Sequence, residues 1–358
     1  MTFDYKNIFK VLVICVILIA TSCSEDPDPV KPGSDGFYVV NEGGFGNGNS
    51  SISFFDRSTG QVTNDIFKAA NGRDLGDQAQ SMTVFEYKGY IVVQNSGKIE
   101  VINADDQKSI ATIVKGIQSP RYFIGVSPSK AYVSDWSNDG VSGRIKIINL
   151  TSNTVTDSID IGKGPDRMIK VGNLVYVANS GGYDKDNTVK VIDSNTNQVT
   201  ATITVGDNPS GLQVDGSGNI WVGSAGATAY NDDYTVDEEN STKGSLSKIT
   251  SENTEAMRLT VGGLGSVSSL SVSPDGNSLY YNYNDAVYSM KTSDTALPTT
   301  PFKAKKYYGL SVSPFDGSVI GCISPNFGSA GSIDIMDNTG AIQNTYTVGI
   351  GPNSCSFK

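Results

Sequence analysis

The chain contains no histidine. That absence removes Ser-His-Asp and Cys-His catalysis and every imidazole metal site, and leaves open only sites built from carboxylates and amides. Basic residues are in deficit. Against 37 Asp and Glu stand 27 Lys and Arg, giving a formal net charge of -10 and a pI of about 4.6. An acidic surface repels phosphate backbones, so no nucleic-acid partner is expected. Long helical patterns are missing beyond the N-terminal segment, apolar content is moderate and glycine is abundant, which favours an all-β domain.

What is present is a recurring sentence. Its clearest copy runs from Leu174 to Val214. It holds three runs rich in β-branched residues, Val175–Ala178, Thr188–Ile192 and Val199–Val205, each followed by Gly, Asn, Asp or Pro. β-branched side chains fit a pleated surface and the breakers supply turns, so the runs read as three antiparallel strands. A fourth run, Gly211–Val214, opens the next unit. The sentence returns at a spacing of about 40–45 residues, the period of a repeat architecture.

The N-terminus reads differently. Lys6 and Lys10 precede an apolar run, Val11 to Ala20, that ends in Ala20-Thr21-Ser22-Cys23. A basic start, a short apolar core and small residues at its end make a secretory signal, too short for a comfortable membrane span. The segment resembles a bacterial lipobox, which implies lipidation at Cys23, with Thr21-Ser22 departing from the smaller pair common there. Ser24-Glu25-Asp26-Pro27-Asp28 resembles the acidic export tag of surface lipoproteins in the Bacteroides group. The expected organisation is a lipoprotein signal peptide at 1–22, a lipidated acidic and proline-rich tether at 23–35, and a folded domain at 36–358. The expected place is the cell-surface side of the outer membrane, held by the lipid. Cys15 leaves with the signal; Cys322 and Cys355 remain and read as free thiols in strands of neighbouring blades rather than as a bridge.

Labelling the strands of a unit a to d from the axis outwards, b strands read Phe37–Val40, Tyr90–Val93, Ala131–Ser134, Leu174–Ala178, Ile220–Gly223, Ser278–Tyr281 and Ser318–Ile323. A c and a d strand follow each. The a strands begin near Pro120, Pro165, Pro209 and Pro352, and elsewhere near Gln80, Val267 and Tyr307. The first unit lacks an a strand, and the C-terminal stretch from Ile350 to Lys358 looks like a lone one. The expected fold is therefore all-β, a seven-bladed β-propeller closed by the C-terminal strand joining the first blade. A β-helix would not explain a strand left over at one end and wanted at the other.

Tyr176-Val177-Ala178-Asn179, Val189-Lys190-Val191-Ile192-Asp193 and Thr200-Ala201-Thr202-Ile203-Thr204-Val205-Gly206 resemble the YVTN repeat of YncE-like and surface-layer-type seven-bladed propellers. Ser271-Val272-Ser273-Pro274-Asp275-Gly276 matches that family's a–b turn. The resemblance covers residues 36–358 and speaks to fold more than to function.

Chain direction puts the d–a and b–c loops on one face. These are the longer loops, and they carry aromatic, amide and arginine side chains, the usual anchors of binding surfaces. The candidate ligand-binding residues are Asn41, Glu42, Phe45, Gln80, Asn95, Arg121, Tyr122, Asp135, Trp136, Arg167, Asn179, Tyr183, Tyr283, Tyr307, Tyr308 and Phe327. Several have a structural role open to them as well: Tyr122 packed between blades, Asn95 and Asn179 capping strand ends, Arg121 and Arg167 ion-paired. Trp136, beside Asp135 in a loop, is harder to place in a core and points to ligand contact. The 225–244 insertion lies on the same face and is either a lid, part of the wall or a solvated acidic loop; it lacks EF-hand spacing.

Three readings follow. A lipid anchor, a closed propeller and an aromatic, amide-rich face resemble the BtuG-type cobalamin-binding lipoproteins that sit over TonB-dependent outer-membrane transporters. That resemblance implies capture of cobalamin or another corrinoid, without catalysis and without a cofactor. The same face would serve a glycan- or protein-binding module. A calcium-dependent lactonase-like hydrolase would instead draw on Glu42, Asn95, Asn179 and Asn282.

Overall fold

The computed structural model describes residues 35–358. The expectations for the signal peptide, for the tether through residue 34 and for Cys23 lie outside the described residues.

Each blade is a sheet of antiparallel strands. In the fourth they are Pro165–Val171, Leu174–Asn179, Thr188–Asp193 and Gln198–Thr204, in sequence order from a to d. Seven such sheets form a seven-bladed β-propeller. The ring closes as the chain pattern implies: Pro352–Phe357 pairs antiparallel with Gly36–Asn41, setting Val39 opposite Cys355. The first blade is thus built from both ends of the described chain.

The b strands explain the packing. Both faces of a blade are covered by neighbouring blades, so alternate side chains of one strand enter two different cores. In Gly36–Asn41, Tyr38 and Val40 pack against Ile91, Val93 and Ile102 of blade two. Phe37 and Val39 pack on the other side with Ile320, Cys322 and Ile333 of blade seven. A strand buried on both faces reads as a continuous apolar run rather than an alternating one. Each such side chain contributes about 1.5–3 kcal/mol of burial.

The innermost strands have an unpaired edge facing the axis. Their polar side chains tie one blade to the next there. Ser81 Oγ donates to Arg121 O at 2.7 Å and Thr83 Oγ1 to Phe123 O at 3.0 Å. Gln213 Nε2 donates to Leu270 O at 3.0 Å, and the Cys355 N–H to Ser311 Oγ at 3.0 Å. Edge groups that would otherwise be left unmade are thereby used to hold the ring.

One blade departs from the sequence reading. Blade six has three strands, Ser268–Val272, Ser278–Tyr283 and Ala286–Lys291, and no d strand. The segment in that place contains Pro298 and Pro301, which lack the N–H a ladder needs, and only a bridge between Val287 and Lys303 survives. The insertion forms a largely exposed hairpin of its own, Ala227–Tyr230 with Val236–Thr242. A short helix, Ile66–Asn71, also lies between blades one and two, burying Ile66 and Phe67 in their shared core.

Candidate functional site

The axial cavity has a volume of about 470 Å³ and is lined by the innermost strands, with Met82, Tyr122, Arg167, Leu212, Val272 and Cys355 on its wall. Its mouth on the d–a/b–c face owes its side chains to a repeated backbone device. In six blades the pairing of strand a with strand b slips just after the first residue: after Ala79, Pro120, Pro165, Pro209, Ser268 and Pro352. A bulge of this kind re-aims the residue it releases. The released residues include Gln80, Arg121, Asp166, Ser210, Ser269 and Asn353; in blade seven, Tyr308 precedes the first paired residue, Gly309.

Five of these meet around Glu42. Tyr308 donates its hydroxyl to Glu42 Oε2 at 3.0 Å, and Asn353 Nδ2 donates to Glu42 Oε1 at 2.8 Å. The same Asn353 amide reaches Gln80 O at 3.0 Å, and Gln80 Nε2 donates to the Tyr122 hydroxyl at 3.2 Å. The Arg167 guanidinium lies 4.6 Å from the Tyr122 ring centroid. Arg121 stacks at 4.0 Å on Trp136, donates to Gln94 Oε1, and places Nη2 3.8 Å from Asp166 Oδ2. Two arginines and two carboxylates therefore share one small volume.

Burial dominates the electrostatics. It pushes the Glu42 carboxyl above the usual carboxylate range, against the opposing pull of the Asn353 and Tyr308 hydrogen bonds and the Arg121 charge. Burial raises Asp166 in the same sense, against Arg121 and Arg167. The Tyr308 hydroxyl is pushed up by burial and by the Glu42 charge, which keeps it a donor. The mouth offers hydrogen-bond donors and acceptors and a cationic pair beside two carboxyls held above their usual range.

The structure brings Glu42, Gln80, Arg121, Tyr122, Trp136, Arg167 and Tyr308 together. Phe327 joins them at the edge, its ring 5.5 Å from Tyr308 in a T-shaped contact. Trp136 lies in the loop after Lys130–Asp135, as expected, but it is not free for ligand contact. It is buried, with Nε1 donating to Pro165 O at 2.9 Å, and forms the floor beneath Arg121. Tyr183 stands over its edge at 5.9 Å and is 80% exposed; Phe45 is 72% exposed.

Other candidates have partners apart from Glu42. Asn41 Nδ2 donates to Ser53 Oγ at 2.9 Å, and Asn179 Nδ2 to Ile161 O and Thr188 Oγ1 at 3.1 and 3.0 Å. Both amides press on the glycine that ends a d strand: a Cβ on Gly349 would lie 2.7 Å from Asn41 Cγ, and one on Gly162 2.7 Å from Asn179 Nδ2. At the equivalent Gly206 of the next blade a Cβ would instead meet Ser245 Oγ at 2.2 Å. Asp135 is buried and accepts from the Gln118, Ser119 and Ser137 N–H groups. Asn95 donates to Asp77. Tyr307 is a core residue, bonded to Asp334 Oδ2 at 2.8 Å. Tyr283 accepts from the Gly263 N–H at 3.0 Å, and Asn282 donates to Tyr307 O at 3.1 Å, away from the Glu42 cluster's partners. Glu42, Asn95, Asn179 and Asn282 thus each have separate partners. Among the described residues, no three His, Cys, Asp or Glu side chains are placed to hold a metal ion.

Asp166 and Asn353 were not among the candidates. A signal for them exists: Gly164-Pro165-Asp166 and Gly351-Pro352-Asn353 open their a strands alike, as does Ser119-Pro120-Arg121.

Residues 35–322 match the family model described as a domain of unknown function, DUF5074. The chain belongs to the DUF5074 family. No curated protein matches it. Among solved structures, this DUF5074 protein is similar to a quinonprotein alcohol dehydrogenase-like protein from Bacteroides thetaiotaomicron, at 16% identity over 90% of this chain and 78% of that one, with a TM-score of 0.64. It is similar to a candidate 6-phosphogluconolactonase from Bacteroides fragilis, at 12% identity over 90% and 98% of the two chains and a TM-score of 0.64. It is also similar to the hydrazine synthase of Kuenenia stuttgartiensis, at 17% identity over 85% and 90% and a TM-score of 0.59. At these identities the likeness is one of fold.

Proposed function

We propose that this DUF5074 propeller is a lipid-anchored binding protein of the outer cell surface that captures a corrinoid at the axial mouth and hands it to a TonB-dependent transporter. The observation that carries this reading is the pairing of a polar mouth with an aromatic rim. Tyr308 and Phe327 are 46% and 44% exposed beside Glu42, and Phe45 and Tyr183 stand out further on the b–c loops of blades one and four. A corrin has a broad apolar face with amide arms at its edge. Aromatic rings suit the face, and Gln80, Asn353, Glu42 and Arg121 suit the amides. The polar groups are committed to one another by hydrogen bonds and ion pairs, an arrangement for holding a ligand rather than for activating a nucleophile.

The test is gel filtration of the purified protein with cyanocobalamin, recorded at visible wavelengths. Co-elution of the corrin colour at near one-to-one, with a raised melting temperature in the complex, supports capture. Colour that elutes alone at high micromolar protein ends the corrinoid reading. Calcium-dependent turnover of a simple lactone would end the non-catalytic one.

A further inference from the structure

The two remaining cysteines lie on either side of the ring's closing seam. Cys322 belongs to Val319–Ile323, strand b of blade seven, and Cys355 to Pro352–Phe357, the strand that completes blade one. Cys322 is fully buried, and Cys355 packs against the same core cluster, which also holds Val39 and Ile320. Both are free, and the strands that carry them touch across the seam, with both side chains in that one cluster. Cys355 is partly exposed and forms part of the axial cavity's wall, whereas Cys322 sits behind it. A small oxidant entering along the axis thus meets Cys355 before Cys322.

We infer that Cys322 and Cys355 form a redox-dependent clasp that covalently locks the propeller. The chemistry is exchange with an external disulfide. The Cys355 thiolate attacks one sulfur of that disulfide, forming a mixed disulfide and releasing one thiol. The Cys322 sulfur then attacks Cys355 Sγ, losing its proton and expelling the second thiol. The two cysteines are oxidised by two electrons and the external disulfide is reduced to two thiols. Burial and the neighbouring Cys322 push the Cys355 thiol well up, so the first attack is slow at neutral pH and quickens in mild alkali.

The clasp has a mechanical meaning. The closing strand comes from the far end of the chain and is held to its neighbours only by hydrogen bonds and packing. A bridge across the seam would remove the route by which that strand peels away and would restrict the unfolded chain.

The native protein would be incubated at pH 8 with oxidised glutathione, alkylated, and cleaved with cyanogen bromide. Cleavage after Met290 and Met336 separates the two cysteines into fragments 291–336 and 337–358. The expected result is that the fragments stay joined until dithiothreitol is added. The oxidised protein should also melt about 5 °C above the reduced one, and Cys322→Ser should abolish both effects. Separate fragments, or glutathione retained on Cys355, would overturn the proposal. So would joining that appears only when oxidation is done in urea, since the pair would then not be apposed in the folded protein.

Discussion

The Arg121 guanidinium lies 4.0 Å over the Trp136 ring while the Trp136 indole donates to the Pro165 carbonyl of the next blade. A residue of blade three is thereby sandwiched between an aromatic floor and the buried carboxylate of Asp166, at 3.8 Å. Removing it would leave that carboxylate short of a partner in a dry setting. Arg121→Ala should destabilise the fold by about 2–4 kcal/mol. Arg121→Lys should recover only part, since an ammonium cannot reproduce the flat stacking of a guanidinium. Urea unfolding followed by tryptophan fluorescence reads both. A loss under about 0.5 kcal/mol for Arg121→Ala would mean that Asp166 is neutral and indifferent to its neighbour.

Gly162 has φ +133 and would press a Cβ within 2.7 Å of Asn179 Nδ2. Gly218 also has positive φ, +82, but no atom lies within 4 Å of where its Cβ would be. The two positions differ in collision and also in backbone strain, which is greater at φ +133. Gly218→Ala should cost about 1 kcal/mol, the left-handed penalty alone. Gly162→Ala should cost at least about twice that, because Asn179 is fully buried and bonded on two sides. Equal losses in urea would show that the amide moves aside freely.

The chain's fold was legible because its physics is local and repeated. Val175, Tyr176 and Val177 announce a strand buried on both faces, and Pro120, Pro165, Pro209 and Pro352 mark strand starts that the structure places at those residues. The missing d strand of blade six was not seen because strand count was carried over from the other blades, past Pro298 and Pro301. The site was legible only in part. Asp166 reads as part of the same face as Arg167, but nothing local to it in the sequence shows that a bulge turns it towards Arg121. Asn353 meets Glu42 across 311 positions of chain, a contact that only ring closure creates. Trp136 is a loop residue whose burial was not legible, because its cover comes from Arg121, Tyr183 and the Pro165 carbonyl, all contributed by other segments.

Carboxylates divide into two groups with opposite pH behaviour. Asp275 accepts from Ser273 Oγ and from the Asn277 backbone and side chain, which lower its pKa from the model-compound 3.8 to about 2. A lowered folded pKa gives stability that is present above the unfolded value and lost as pH falls through the folded one. Asp275→Asn should therefore flatten the acid limb of the stability curve between about pH 4 and pH 2. Glu42 is raised, so its contribution runs the other way and declines as pH rises above the usual carboxylate range. Glu42→Gln should lift stability at neutral pH relative to acid. Denaturant midpoints across pH check both signs; parallel curves for wild type and Asp275→Asn would dismiss the turn as a source of acid sensitivity.

Asn353 tests whether the mouth and the closure are one structure. Its single side-chain nitrogen serves Glu42 Oε1, Gln80 O and Ala79 O, at 2.8, 3.0 and 3.3 Å, and so links the closing strand to blades one and two. Its loss would strip the buried Glu42 of a donor, leaving Tyr308 as the hydrogen bond that lowers its pKa. Asn353→Ala should cost about 1–3 kcal/mol and push Glu42 further up. Asn353→Asp should be worse, since it sets a second carboxylate against Glu42, and its deficit should shrink as pH falls and one of the pair takes a proton. Amide hydrogen exchange along Pro352–Phe357 should quicken in both variants before the rest of the ring changes. If exchange rises evenly over all seven blades instead, the propeller opens as one cooperative unit and the seam is no weaker than any other junction.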